Sequence, residues 1–184
     1  IFEEIKSHLV KKPPGFNSAN KIFYENYSSL FEIEKLEKLG DIYKKVADRK
    51  NSILHKEAEK FYKSAFDLCK KNAAEHRMYL ARFYIEGKGT EQSFVKGQHE
   101  YILHFNTNSN DGTKAHVAEK IAVTYSEKKY GLVDFKEAKM WLLKANSFGK
   151  VYDFERKINL LEQNKSFFQN YIYAETKQKP LNLK

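Results

Sequence analysis

An all-α protein, a stack of antiparallel helix pairs forming an α-solenoid, is the fold class that three observations on this sequence predict. Proline occurs only at Pro13, Pro14 and Pro180, so the interval from 15 to 179 holds no proline to break a helix. Apolar residues recur there at spacings of three and four rather than two. One short pattern also returns at a fixed interval: Leu39-Gly40-x-x-Tyr43, Leu80-Ala81-x-x-Tyr84 and Ile121-Ala122-x-x-Tyr125 are 41 residues apart. A small residue beside a large one, with an aromatic ring one turn later, suits two helices crossing at close range. A second helix completes each unit, where Ala58, Gly97 and Ala138 begin a seven-residue step to Ala65, His104 and Ala145. Three such pairs, stacked, bury the apolar faces that each alone leaves open.

The elements follow in order. Residues 1–34 read as an N-terminal helical segment, in which Phe23, Tyr27, Leu30 and Phe31 form a stripe expected to be the core of a capping helix. The repeats occupy 35–149. Leu36, Leu39 and Tyr43 mark the first helix, and after a long turn from Ala47 to His55, Ala58, Phe61, Tyr62 and Ala65 mark the next. Leu80, Ala81 and Tyr84 lead to the turn Gly87-Lys88-Gly89-Thr90, and Tyr101 and Phe105 lead to a polar turn from Asn106 to Gly112. Ala118, Ile121, Ala122 and Tyr125 precede a break at Tyr130-Gly131, and Ala138, Trp141, Leu142 and Ala145 close the third pair. Ser93 and Asp134 stand where an N-cap oxygen would accept orphan backbone N–H groups. Gly149 stands where a left-handed C-cap is expected. Residues 150–184 read as a capping helix and short tail, with Tyr152 to Tyr173 helical and Phe167, Phe168, Tyr171 and Ile172 as its stripe.

Composition narrows the class. A chain of 184 residues with 41% hydrophobic and 31% charged residues can bury a core, which excludes a largely disordered protein. A mean hydropathy of −0.70, with no run near the ~18 apolar residues of a spanning helix, argues against membrane insertion. The single cysteine, Cys69, excludes an internal disulfide framework. Ile1-Phe2-Glu3-Glu4-Ile5-Lys6 is charged and amphipathic, unlike a signal peptide, and the absence of an initiator Met suggests a removed leader, which favours a periplasmic over a cytoplasmic site. The net charge of +9 is spread evenly, +4 in residues 1–92 and +5 in 93–184, and only four of 33 cations are arginine. Phosphate recognition favours arginine, so no nucleic-acid partner is expected.

No motif carries catalytic, cofactor or metal chemistry. Gly87-Lys88-Gly89-Thr90 lacks the glycine five residues earlier that a phosphate loop needs, since Arg82 stands there. His99 and His104 are five apart, and on a helix they diverge by roughly 140°, too far to share a metal. No Gly-flanked nucleophilic serine occurs, and the carboxylates alternate with lysines as on a solvated face. An enzyme is therefore not expected.

At the repeat residues the chain resembles the Sel-one-like repeat family, a branch of the tetratricopeptide-type helical solenoids. Leu80, Ala81, Tyr84, Gly87, Gly89, Phe94, Gly97 and Tyr101 match its spacing. Ile121, Ala122, Tyr125, Gly131, Asp134, Phe135, Ala138, Trp141, Ala145 and Gly149 match its chemistry. The first unit departs from the pattern, with no glycine in its turn, and the 41-residue interval exceeds a repeat length in the mid-thirties.

The resemblance implies a right-handed solenoid whose first helices line a concave groove. Carried onto this chain, the groove positions are Glu34, Glu37, Asp41, Lys44 and Lys45 on the first of these helices. They are Glu75, Met78, Arg82, Ile85 and Glu86 on the second, and His116, Glu119, Val123, Ser126 and Glu127 on the third. Seven are acidic and three basic, which gives a wall of −4 on a protein of +9 and implies a partner with a basic surface. Bacterial members of such families serve as envelope scaffolds, host-interaction factors and immunity proteins that block secreted toxins. The expectation is a non-catalytic protein-binding module, monomeric when free, and most specifically an immunity protein. The alternatives are an adaptor or scaffold of an envelope or signalling complex and, further off, a nucleic-acid-binding repeat protein.

Overall fold

A computed structural model describes residues 1–11, 14–47, 52–127, 133–149 and 153–163. The described residues are all-helical: α1 (Phe2–Leu9), α2 (Phe16–Asn26), α3 (Glu32–Val46), α4 (Ser52–Lys71), α5 (Ala73–Glu86), α6 (Phe94–Thr107), α7 (Asp111–Ser126), α8 (Phe135–Phe148) and α9 (Phe154–Glu162). The chain divides into two compact units, Ile1–Gln92 and Ser93–Lys184. That division falls in the turn between the two helices of the second sequence repeat.

In unit 1, α3 and α4 form the central pair, with α1 and α2 packed on α3 and α5 packed on α4. The apolar spacing read from the sequence is what turns inward. Leu39, Tyr43, Leu54, Ala58 and Tyr62 share a core with Ile5, Leu9, Ala19 and Phe23. Ala65, Phe66, Cys69, Leu80 and Phe83 gather around Ile33. Each of the larger side chains gains about 2 kcal/mol on leaving water. Tyr43 lies centrally, its ring 5.1 Å from Phe61 and 5.8 Å from Phe16, and its hydroxyl donates to Asn20 at 2.6 Å. Gly40 permits the α3–α4 approach, because a Cβ there would lie 2.5 Å from the Tyr62 ring.

In unit 2, α7 packs between α6 and α8, and α9 packs on α8. Val117, Ala118, Ile121 and Ala122 face Ala138, Trp141, Leu142 and Ala145 as buried residues of that pair. Phe105 of α6 meets Trp141 edge-on at 5.4 Å and Phe148 at 5.5 Å. Ser93 and Asp134 are N-caps as expected, accepting from Lys96 N–H at 3.4 Å and Glu137 N–H at 3.0 Å.

Three expectations are corrected. Gly149 is extended (φ −170°), not left-handed: its N–H closes the last helical bond to the Ala145 carbonyl at 3.1 Å and the chain then leaves α8 in an extended conformation. Gly87 is the left-handed cap (φ 68°), at the end of α5. The polar turn from Asn106 to Gly112 shrinks to Asn108–Asn110, since Asn110 caps α7 through Thr113 N–H at 2.8 Å and Asp111 and Gly112 join that helix. The stripe of Phe23, Tyr27, Leu30 and Phe31 is not one helix: α2 stops at Asn26, and Phe31, 76% exposed, is the N-cap of α3. The break at Tyr130-Gly131 and the stripe of Phe167, Phe168, Tyr171 and Ile172 lie outside the described residues, as does half of the Tyr152–Tyr173 segment.

Candidate functional site

Glu34, Glu37 and Asp41 sit three and four apart on α3, so helical geometry places them along one face. Each has a partner from elsewhere in unit 1. Tyr79 of α5 donates its hydroxyl to Glu34 Oε1 at 2.6 Å, and Tyr62 of α4 donates to Asp41 Oδ1 at 2.6 Å. Arg82 of α5 pairs with the buried Glu37. Lys88 reaches Glu37 Oε1 at 3.0 Å, Asp41 Oδ1 at 3.0 Å and Glu86 Oε2 at 3.1 Å. Its ammonium also lies 5.3 Å from the centre of the Tyr62 ring.

The turn after α5 explains how Lys88 gets there. Gly87 (φ 68°) reverses the chain, and Lys88 N–H closes on the Phe83 carbonyl at 3.1 Å. Gly89 (φ 66°) then lies so close to the α4 backbone at Tyr62 that any Cβ would overlap it. Both glycines are required by conformation, and the second also by space, so Lys88 is carried over the acidic face.

The electrostatics follow from this enclosure. Burial disfavours the Lys88 ammonium, but the Glu86, Glu37 and Asp41 carboxylates outweigh it and hold its pKa above the ordinary lysine range. Burial and then the hydrogen bond to Glu34 push the Tyr79 hydroxyl up to about 12. Burial, reinforced by the bond to Asp41, also raises Tyr62. Cys69, fully buried nearby, is pushed by burial up to about 12, so its thiol stays protonated and unreactive near neutrality.

The remaining sequence-predicted positions are placed differently. Glu75 is exposed and Met78 half-buried on α5, while Ile85 is buried. Lys44 lies 5.8 Å over the Tyr62 ring and Lys45 4.5 Å over the Phe2 ring. In unit 2, His116 is exposed on α7. Glu119 pairs with Lys157 of α9, whose side chain is 2% exposed. Val123 and Ser126 are buried, and Glu127 is 1% exposed. The −4 wall is therefore an overcount: Glu34, Glu37, Asp41, Glu86 and Glu119 carry internal partners before any second protein arrives, and Glu127 is not at the surface.

Sequence reasoning missed Lys88, Tyr62, Tyr79 and Lys157 as members of these clusters. A lysine held between two glycines at a helix end was the signal available for the first. Among the described residues no His, Cys, Asp and Glu group is gathered as a metal site, and no helix is long and apolar enough to cross a membrane. No family model and no curated protein matches the chain.

Proposed function

We propose that this protein is a non-catalytic protein-binding module, built as a right-handed solenoid of Sel-one-like helix pairs, of which α3–α4 and α7–α8 are two. The observation that carries it is the matched burial of the 41-residue pattern. Leu39, Leu80 and Ile121 are buried on the first helices, each beside a buried small residue, Gly40, Ala81 or Ala122. Ala58, Gly97 and Ala138 are buried at the corresponding turn of the second helices. Repeats that keep packing residues in register while their outer faces vary suit recognition of a partner rather than chemistry.

The particular role we propose is immunity: occlusion of a secreted bacterial toxin by a small rigid surface. Affinity capture from the native cell, with the bound protein identified by mass spectrometry, tests it. One stoichiometric partner, toxic when expressed alone and silenced by co-expression of this chain, is the expected outcome. Several weaker partners would indicate an adaptor or scaffold instead, and turnover of a substrate would overturn the binding class.

A further inference from the structure

Two of the groove positions read from the sequence, Glu37 and Glu119, stand two residues before the repeat residues Leu39 and Ile121, and each is closed by a cation from another element. The closures are built differently. Lys88 rides on a turn fixed by Gly87 and Gly89 directly after α5, whereas Lys157 comes from α9. Of the nine residues of α9, Lys157 and Leu161 are the buried ones, and Phe154, Ile158 and Leu160 are half-buried. Two ion pairs complete the attachment, Lys157 with Glu119 of α7 and Glu162 with Lys139 of α8. The N-cap Asp153 has a left-handed backbone (φ 54°) and makes no side-chain cap bond.

Such an attachment opens at low cost. A nine-residue helix has little stability of its own. The ions of a buried pair regain their hydration on separation, which offsets much of the attraction they give up. Local opening concentrates in elements with few buried apolar side chains, and α9 buries one large one where α8 buries Trp141 and Leu142 besides two alanines.

Opening leaves a seat of defined chemistry. Lys157 and Leu161 are four apart and so share one face of α9, with Glu162 next in sequence. Glu119 takes the ammonium, Lys139 takes the carboxylate, and Leu161 is buried where α9 packs on α8. Any helix with a basic residue, a leucine one turn later and an acid beside it complements the same three points.

We propose that α9 is an autoinhibitory helix: it fills, from within the chain, the docking seat of a protein partner, and the partner displaces it with a helix that carries a lysine or arginine and a leucine one turn later. This rests on the binding-module reading and adds the seat, its internal occupant and the chemistry of what replaces it. Because α9 competes from the same chain, the partner's apparent affinity is set by the fraction of molecules in which the seat is open.

The probe is a fluorescent synthetic peptide of residues 153–163, stapled across the exposed positions Glu155 and Asn159 and titrated against the full chain by anisotropy. Leu161→Ser in the chain loosens its own α9 and should raise affinity for the peptide about tenfold or more. Glu119→Gln added to that variant should remove the gain, and a peptide carrying Lys157→Glu should bind neither chain. Native-state amide exchange of the unaltered chain gives a readout that no variant can disturb: the α9 amides should exchange ahead of those in α7 and α8.

Exchange of α9 only with global unfolding overturns the proposal, as does equal binding of the peptide to wild type and Leu161→Ser, or binding to neither. Self-association of the wild type through exchanged α9 helices assigns the seat to a second copy and overturns the partner assignment. A native partner captured equally by wild type and Leu161→Ser overturns this seat while the binding-module reading stands. Failure of both chains to capture any partner strikes that reading, and the peptide titration still decides the seat.

Discussion

The two units treat the same kind of acidic position in different ways. On α3 of unit 1, Glu37 and Asp41 are met by Lys88, which is carried to them by a glycine-flanked turn and keeps 18% exposure. On α7 of unit 2, Glu119 is met by Lys157, which comes from a separate helix and is 2% exposed. The first cation has several oxygens and an aromatic ring around it and an opening to water. The second depends on its anchorage to α9. A carboxylate at a repeat position therefore says little about the surface until the element that supplies its counter-ion is known, because that element lies 38 to 51 residues away in sequence.

The largest effects come from breaking either pair by removing its acid. Glu37→Ala removes the carboxylate that the largely buried Lys88 shares with the half-exposed Arg82, and a loss of about 3 kcal/mol in urea unfolding is expected. Glu119→Ala should cost about 2 kcal/mol, with opening concentrated in α9 by hydrogen exchange, whereas the unit 1 variant should loosen the turn at 87–89. Identical exchange patterns for the two variants would remove the distinction between the units.

Packing contrasts come next. Gly40→Ala pushes a methyl group into the Tyr62 ring and should destabilise by about 2 kcal/mol. The equivalent residues in the other repeats are already alanine, so Ala81→Gly and Ala122→Gly should cost only about 1 kcal/mol each. Calorimetric Tm values of the three variants check that order. Asp134→Ala removes the cap of α8 and should cost about 1 kcal/mol, visible in unit 2 alone.

Alkaline pH should sharpen the comparison with a smaller effect. Tyr79 and Cys69 have raised pKa values in the folded chain, so each contributes stability that is fully present below its unfolded pKa and is lost as pH rises. The loss should run from about pH 9, where an unfolded thiol titrates, to about pH 12. Lys88 is raised too, so its contribution is fully present below the ordinary lysine value of 10.5 and is lost above it, in the upper part of that window. Tyrosinate absorbance should show Tyr79 ionising late in wild type and earlier in Glu34→Ala, which removes its acceptor.

Much of this was legible in the sequence, and for identifiable reasons. The 3.6-residue period and the 41-residue return marked α3, α5 and α7 because burial constrains large and small residues at fixed steps. Ser93 and Asp134 were readable because an N-cap is local chemistry. Gly149 was misread because a glycine after a helix is equally at home in an extended exit, whereas Gly87, directly after α5, takes the positive φ. The site was the least legible part. Glu34, Glu37 and Asp41 were found as a face, but their partners Tyr79, Arg82, Lys88 and Tyr62 come from other helices and a turn. A formal charge count has no access to such pairings.

A double-mutant cycle between Glu37 and Lys88 tests the central claim most directly, that the acidic face of α3 is an internal counter-ion site. Urea unfolding of wild type, Glu37→Gln, Lys88→Met and the double variant should give a coupling of about 1–3 kcal/mol, with the double variant less destabilised than the two single losses combined. Additive losses, with a coupling near zero, would mean that Lys88 does not hold Glu37 and that the face is open to a partner after all.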